Sequence, residues 1–116
     1  MNTALPVRAI AEDVCVAPQL STGDMAEAAR AGFRSVVNNR PDFEDGPHQP
    51  SSAQIEAAAR AAGLDYRFLP VASGYQSAQE IAAMAVLLRE LPRPLLMFCR
   101  SGARSRQLYA SALQGS

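Results

Sequence analysis

Residues 95–105 read LLMFCRSGARS, and the fold is decided within this stretch. Leu95–Phe98 is short and wholly apolar, as expected of a strand covered on both faces of a parallel sheet. Pro92 and Pro94 close whatever precedes it. Residues 99–104 (CRSGAR) then turn the chain into a last helix, expected over about 103–113. A strand that runs through a glycine-containing turn into a helix points the unsatisfied amides of the helix start at one spot. Such a spot holds anions.

The pattern upstream repeats this alternation. Residues 7–17 (VRAIAEDVCVA) hold two short β-prone pieces broken at Glu12–Asp13, a hairpin or edge pair stopped by Pro18. Ser21 with Asp24 marks a helix start, and Gly32 its end. Phe33–Asn38 is a β-branched run, hence a strand, and residues 39–50 (NRPDFEDGPHQP) form a loop. Ser51 with Gln54 and Ser77 with Glu80 are capping boxes, each opening an apolar helix. Leu64–Leu69 is the strand between those helices, and residues 70–76 are the loop after it. Helices alternating with strands predict an α/β fold, three layers α/β/α, with a mainly parallel sheet of about four to five strands in one domain over 1–116. In such a sheet the site lies beyond the carboxyl ends of the strands. Loops 39–50, 70–76 and 99–104 should therefore meet on one edge.

Within residues 99–105 each side chain has a chemical use. Gly102 permits a tight turn in which the amides of Arg100, Ser101, Gly102, Ala103, Arg104 and Ser105 face inward as a nest. Arg104 supplies a permanently charged fork for two oxygens of an oxyanion. Cys99 at the mouth of this cup is the candidate nucleophile, its thiol expected to be acidic there. A hydroxyl from Ser101 or Ser105 can stabilise the thiolate or donate to a departing group. Arg100 and Arg106 read more readily as surface residues. Cys15, in the middle of an apolar strand, reads as core.

Composition bounds the class. Of 116 residues 48% are apolar and 19% charged, an ordinary globular balance. The longest clean apolar run, Ile81–Leu88, is far short of the ~20 residues of a membrane span. The opening MNTALPVRAI lacks a signal-peptide design, so the expected location is cytoplasmic. One His and two distant Cys make a metal site improbable, and no cofactor is expected. All eleven basic residues are Arg, and they balance eleven acids to a net charge of zero, which argues against nucleic acid. That zero is polarised: residues 1–90 carry seven Arg and eleven acids, while residues 91–116 carry four Arg and no acid. A small anionic or phosphorylated substrate fits such a distribution. The oligomeric state is not written in the sequence.

With these residues in view, the chain resembles the phosphatase-like domain of the beta-lactamase-hydrolase-like protein family, relatives of dual-specificity protein tyrosine phosphatases. The likeness runs over about residues 10–112. It includes APQL at 17–20, AGFRSVVNNRPDFE at 31–44, QPSSAQIEAAARAAGLDY at 49–66, LPV at 69–71 and FCRSGARS at 98–105. The resemblance implies a protein tyrosine phosphatase-like fold and a phosphate-binding loop, with Cys99 as nucleophile and Arg104 as the loop arginine. Three features depart from the wider phosphatase pattern. Four residues rather than five separate Cys from Arg, Phe98 stands where His is frequent, and loop 70–76 has no carboxylate to serve as acid. Ser73 and Tyr75 are its only side-chain hydroxyls. Loop 39–50 can supply the missing group. Asp42 is the expected general acid and Glu44 the second choice, with Arg40 in support; a structural Arg40–Asp42 pair is the competing expectation. Asp45 and His48 lie on the same loop, His48 as an exposed residue.

Three functions fit. The first is a cysteine-dependent phosphatase-like hydrolase that forms a cysteinyl-phosphate. The second is a rhodanese-like sulfurtransferase carrying a persulfide on Cys99, since CRSGAR also resembles the six-residue rhodanese loop and sulfur transfer needs no acid. The Asp-x-Arg and Gly-His-Ile patterns of rhodaneses are absent; Asn38-Asn39-Arg40 stands instead. The third is a non-catalytic anion-binding module.

Overall fold

A computed structural model describes residues 3–114. Strand β1 (Arg8–Ala11) and β2 (Val14–Ala17) form the expected hairpin, followed by helix α1 (Thr22–Arg30), β3 (Ser35–Asn38), α2 (Ser52–Ala61), β4 (Asp65–Phe68), α3 (Ala78–Glu90), β5 (Leu95–Phe98) and α4 (Ala103–Gln114). The sheet order is β1-β2-β5-β3-β4. Only the β1–β2 pair is antiparallel. β2, β3 and β4 all run parallel to the central β5 or to its neighbour, with Val14 and Ser35 both opposite Leu95. The expected α/β architecture is therefore present.

The pleat sorts the core into two faces. Cys15, Ala17, Val36, Leu96 and Phe98 point to the side covered by α1 and α2. Val14, Val16, Val37, Leu95 and Met97 point to the side covered by α3 and α4. All four residues of β5 are fully buried. Each such side chain contributes about 1.5–3 kcal/mol through burial, so the strand that leads into Cys99 is firmly held. Cys15 is a core residue, and burial raises its thiol pKa.

The helix starts follow the sequence. Ser21, Ser51 and Ser77 each cap a helix, reciprocated by Asp24, Gln54 and Glu80. β3 begins two residues later than the apolar run Phe33–Asn38 suggests. Phe33 donates its amide to Ala28 and closes α1, while its ring fills the core. Hydrophobicity at that position belongs to the helix end, not to the ladder.

Because four strands are parallel, four loops reach the carboxyl edge. Besides 39–51, 69–77 and 99–102, the turn after β2 arrives there with Gln19. The Gln19 amide donates to the Arg100 carbonyl at 3.2 Å.

Candidate active site

Cys99 leaves β5 fully buried at the base of its loop, and its amide donates to the Ala17 carbonyl at 3.4 Å. The next residues curl over the sulfur. The Gly102 amide donates to Cys99 Sγ at 3.1 Å. That turn requires φ of +95° at Gly102, and a Cβ there would lie 3.4 Å from the Ala17 backbone. Glycine is thus demanded by conformation, whereas a Cβ would meet Ala17 at little closer than an ordinary contact.

Burial alone would raise the Cys99 pKa. The amide of Ser105, its hydroxyl, and the amides of Gly102 and Ser101 outweigh that penalty, so the thiol lies below its ordinary range. Ser105 is fully buried, and its hydroxyl also donates to Asn39 Oδ1 at 2.8 Å. The Asn39 amide group is itself oriented, because its Nδ2 donates to the Leu69 carbonyl at 3.0 Å. One hydroxyl proton therefore has two acceptors, the sulfur and the Asn39 oxygen. Ser101 is exposed, and its hydroxyl accepts from the Ala103 amide rather than serving the sulfur.

Arg104 is clamped from one side. Its Nη1 donates to Glu44 Oε2 at 3.0 Å and to the Val71 carbonyl at 3.0 Å, and its Nη2 donates to Glu44 Oε1 at 3.1 Å. This uses the outer edge of the guanidinium. The edge formed by Nε and the second Nη2 hydrogen donates to none of the described residues, which leaves it for a ligand. Arg40, only 5% exposed at its side chain, donates through Nε to the same Glu44 Oε1 at 3.0 Å and through Nη1 to Gln19 Oε1 at 3.0 Å. Two guanidiniums share the Glu44 carboxylate, and the exposed Asp45 carboxylate stands 3.9 Å from Arg40 Nη2. Burial pushes the Glu44 pKa up, but the bonds from Arg104 and Arg40 win and hold it below the usual carboxylate range. Phe43, immediately before, has φ of 61°, a conformation that bulky residues seldom adopt. The kink turns Glu44 back toward Arg104 and leaves the Phe43 ring exposed.

Asp42, expected as general acid, is engaged elsewhere: its Oδ1 accepts from the Ser52 amide at 2.7 Å, at the start of α2. The competing Arg40–Asp42 pair does not form either, because Arg40 takes Glu44 and Gln19. Ser73 and Tyr75 do reach the site. With Arg100, Ser101, Ala103 and Arg104 they line an open cleft of about 430 Å³ above the loop. His48 is exposed. Gln19 and Asn39 are site residues that the sequence reading passed over. The only signal for Asn39 was its place directly after β3. Among the described residues, no three His, Cys, Asp or Glu side chains gather as a metal site.

A parallel sheet whose central strand delivers a cysteine into an amide-lined loop, closed by an arginine, defines a phosphatase-like α/β domain. The comparisons agree. The chain belongs to the family described as Beta-lactamase hydrolase-like protein, phosphatase-like domain, which matches residues 6–115. It is 38% identical over 101 residues to the Beta-lactamase hydrolase-like protein of Xylella fastidiosa (strain 9a5c), covering 87% of this chain and 23% of that protein. The Agrobacterium fabrum (strain C58) relative is 36% identical over 108 residues, with 91% and 25% covered. The chain thus spans about a quarter of the length of these curated relatives. Among solved structures, a candidate phosphatase from Neisseria meningitidis Z2491 superposes with a TM-score of 0.82 at 27% identity, covering 90% of this chain and 74% of that one. TpbA of P. aeruginosa, solved with pTyr, gives 0.65 at 18% identity, covering 100% and 68%. The core catalytic domain of the PP-IP phosphatase SIW14 from S. cerevisiae gives 0.63 at 12%, covering 87% and 60%. These last two share the fold. Among the described residues, no helix is long and apolar enough to cross a membrane.

Proposed function

We propose that this domain is a cysteine-dependent phosphatase-like hydrolase for a small phosphorylated substrate. In this reading the Cys99 thiolate attacks phosphorus, the loop amides and the free edge of Arg104 hold the equatorial oxygens, and water then cleaves the cysteinyl-phosphate. The observation that carries it is a buried sulfur, 3.1 Å from the Gly102 amide and depressed in pKa, in a loop whose arginine keeps a free donor edge. Relatives in fold support the substrate class, since TpbA was solved with pTyr and SIW14 is a PP-IP phosphatase. Glu44 serves as the orienter of Arg104. Asp42 remains the proposed acid, at a cost: to protonate a leaving oxygen it must carry a proton while holding the Ser52 amide.

That cost favours a second reading, rhodanese-like sulfur transfer. There Cys99 takes the sulfane sulfur of thiosulfate, sulfite departs as an anion, and no acid is required. One pair of assays separates the two. p-Nitrophenyl phosphate hydrolysis and thiosulfate-to-cyanide transfer are each measured with wild type and Cys99→Ser. Cysteine-dependent phosphate release without thiocyanate supports the phosphatase; the reverse overturns it. Neither activity, with phosphate still bound, leaves a non-catalytic anion-binding module.

A further inference from the structure

A second cleft, of about 600 Å³, opens on the other side of the anion loop, between β1–β2 and α4. Its lining includes the buried Val16 and Ala17, together with Arg8 on β1 and Arg106 on α4. Both arginines also line the adjoining hollow of about 350 Å³ farther along α4. Both are exposed, and neither side chain has an ion-pair or hydrogen-bond partner among the described residues. Arg104 is occupied by Glu44 and Arg40 by Glu44 and Gln19, whereas Arg100, exposed on the loop itself, lines the first cleft. No acidic residue lines this cleft, the adjoining hollow or the cleft above Cys99. Ser101, Ala103 and Gln107 line both main clefts, so a single ridge of loop and first helical turn separates them.

Two guanidiniums line one cleft that no acidic residue lines, a charge arrangement that favours an anion there. Each fork offers paired donors to a carboxylate or phosphate. The geometry points to a second anion subsite at Arg8 and Arg106. It takes the distal anionic group of a ligand whose first group sits in the Cys99–Arg104 cup. The ligand class is therefore a molecule with two anionic groups, joined by a spacer that crosses the Ser101–Ala103 ridge. This inference rests on the cup reading above and adds the second group to it.

The test uses the wild-type protein and ligands that the site cannot hydrolyse. Calorimetry measures the affinity of inorganic phosphate, of alkyl monophosphonates and of α,ω-alkane bisphosphonates of increasing chain length. At one spacer length the bisphosphonate should bind at least about tenfold tighter than the matched monophosphonate, well beyond the roughly twofold statistical gain of two equivalent ends. Arg8→Ala and Arg106→Ala should each reduce that gain, and the double variant should erase it while inorganic phosphate binds as before. A bisphosphonate series with no preferred length, or a gain that survives in the double variant, overturns the subsite while the cup stands. Failure of inorganic phosphate and monophosphonates to bind wild type overturns the cup and the subsite together.

Discussion

The Ser105 hydroxyl is, after the Ser105 amide, one of the donors that lower the Cys99 pKa, and its replacement gives a worked test. It lies between the sulfur and Asn39 Oδ1, which it approaches to 2.8 Å. When the thiolate forms, the proton turns to it. A hydrogen bond to an ionised group contributes about 1.5–3 kcal/mol, and giving up the neutral bond to Asn39 costs about 0.5–1.5 kcal/mol. The difference is about 1–1.5 kcal/mol, or about one pKa unit at 1.36 kcal/mol per unit. Ser105→Ala should therefore raise the Cys99 pKa by about one unit, with the backbone donors still in place. Asn39→Ala should act in the opposite direction, because the hydroxyl then has no competing acceptor. The assay is thiolate absorbance near 240 nm, titrated against pH and corrected with Cys99→Ser. An unmoved midpoint in Ser105→Ala, or an upward shift in Asn39→Ala, would refute the two-acceptor argument. The same depression fixes the sign of the stability effect. Because the folded pKa lies below the unfolded one, the thiolate contributes stability above the ordinary thiol range. That contribution disappears as the pH falls through the folded midpoint. Ser105→Ala should shrink this alkaline gain in a denaturant titration.

Three further substitutions probe the rest of the site. Glu44→Gln removes the shared carboxylate that fixes Arg104, so turnover should fall about tenfold, while phosphate binds no more weakly because the cup becomes more positive; steady-state kinetics with a phosphate titration check both, and unchanged turnover would remove Glu44 as orienter. Asp42→Asn keeps an oxygen for the Ser52 amide and deletes only the acid, so stability should hold while the alkaline limb of the pH–rate profile, where a general acid loses its proton, flattens; an unchanged limb would take Asp42 out of the chemistry. Gly102→Ala forces a side chain into φ of +95° and 3.4 Å from the Ala17 backbone, and should cost about 1–3 kcal/mol in chemical denaturation and weaken phosphate binding; full retention of both would show that the turn tolerates a Cβ.

The parts of the molecule written in local sequence were legible. A serine with its reciprocal partner three residues on names each of three helix starts without reference to the rest of the chain. The apolar LLMF strand and the glycine of CRSGAR likewise carry their own geometry. The pairing of Glu44 with Arg104, sixty positions apart, is of another kind. It depends on a left-handed kink at Phe43, which no turn residue announces, and on two loops meeting only because β3 and β5 are parallel neighbours. Gln19 was hidden for the same reason: a hairpin strand gives no hint that its second member pairs with β5. Asp42 and Glu44 are equivalent as carboxylates on one loop. Only tertiary contacts give the first to a helix start and the second to two arginines.

That division bears on the chemistry. Phosphomonoester cleavage with a poor leaving group needs a carboxylic acid that is protonated when the bond breaks. Glu44 is held ionised between Arg40 and Arg104, loop 70–76 offers only Ser73 and Tyr75 as side-chain hydroxyls, and the Asp42 oxygen is engaged by the Ser52 amide at the start of α2. All of these push the site toward substrates whose departing group leaves as a stable anion, whether an aryl oxide or sulfite. A leaving-group series of aryl phosphates reads this directly. Without an acid the rate should climb steeply as the leaving group becomes more acidic; a flat dependence would mean that a proton is being supplied after all, and Asp42 would be the residue to supply it.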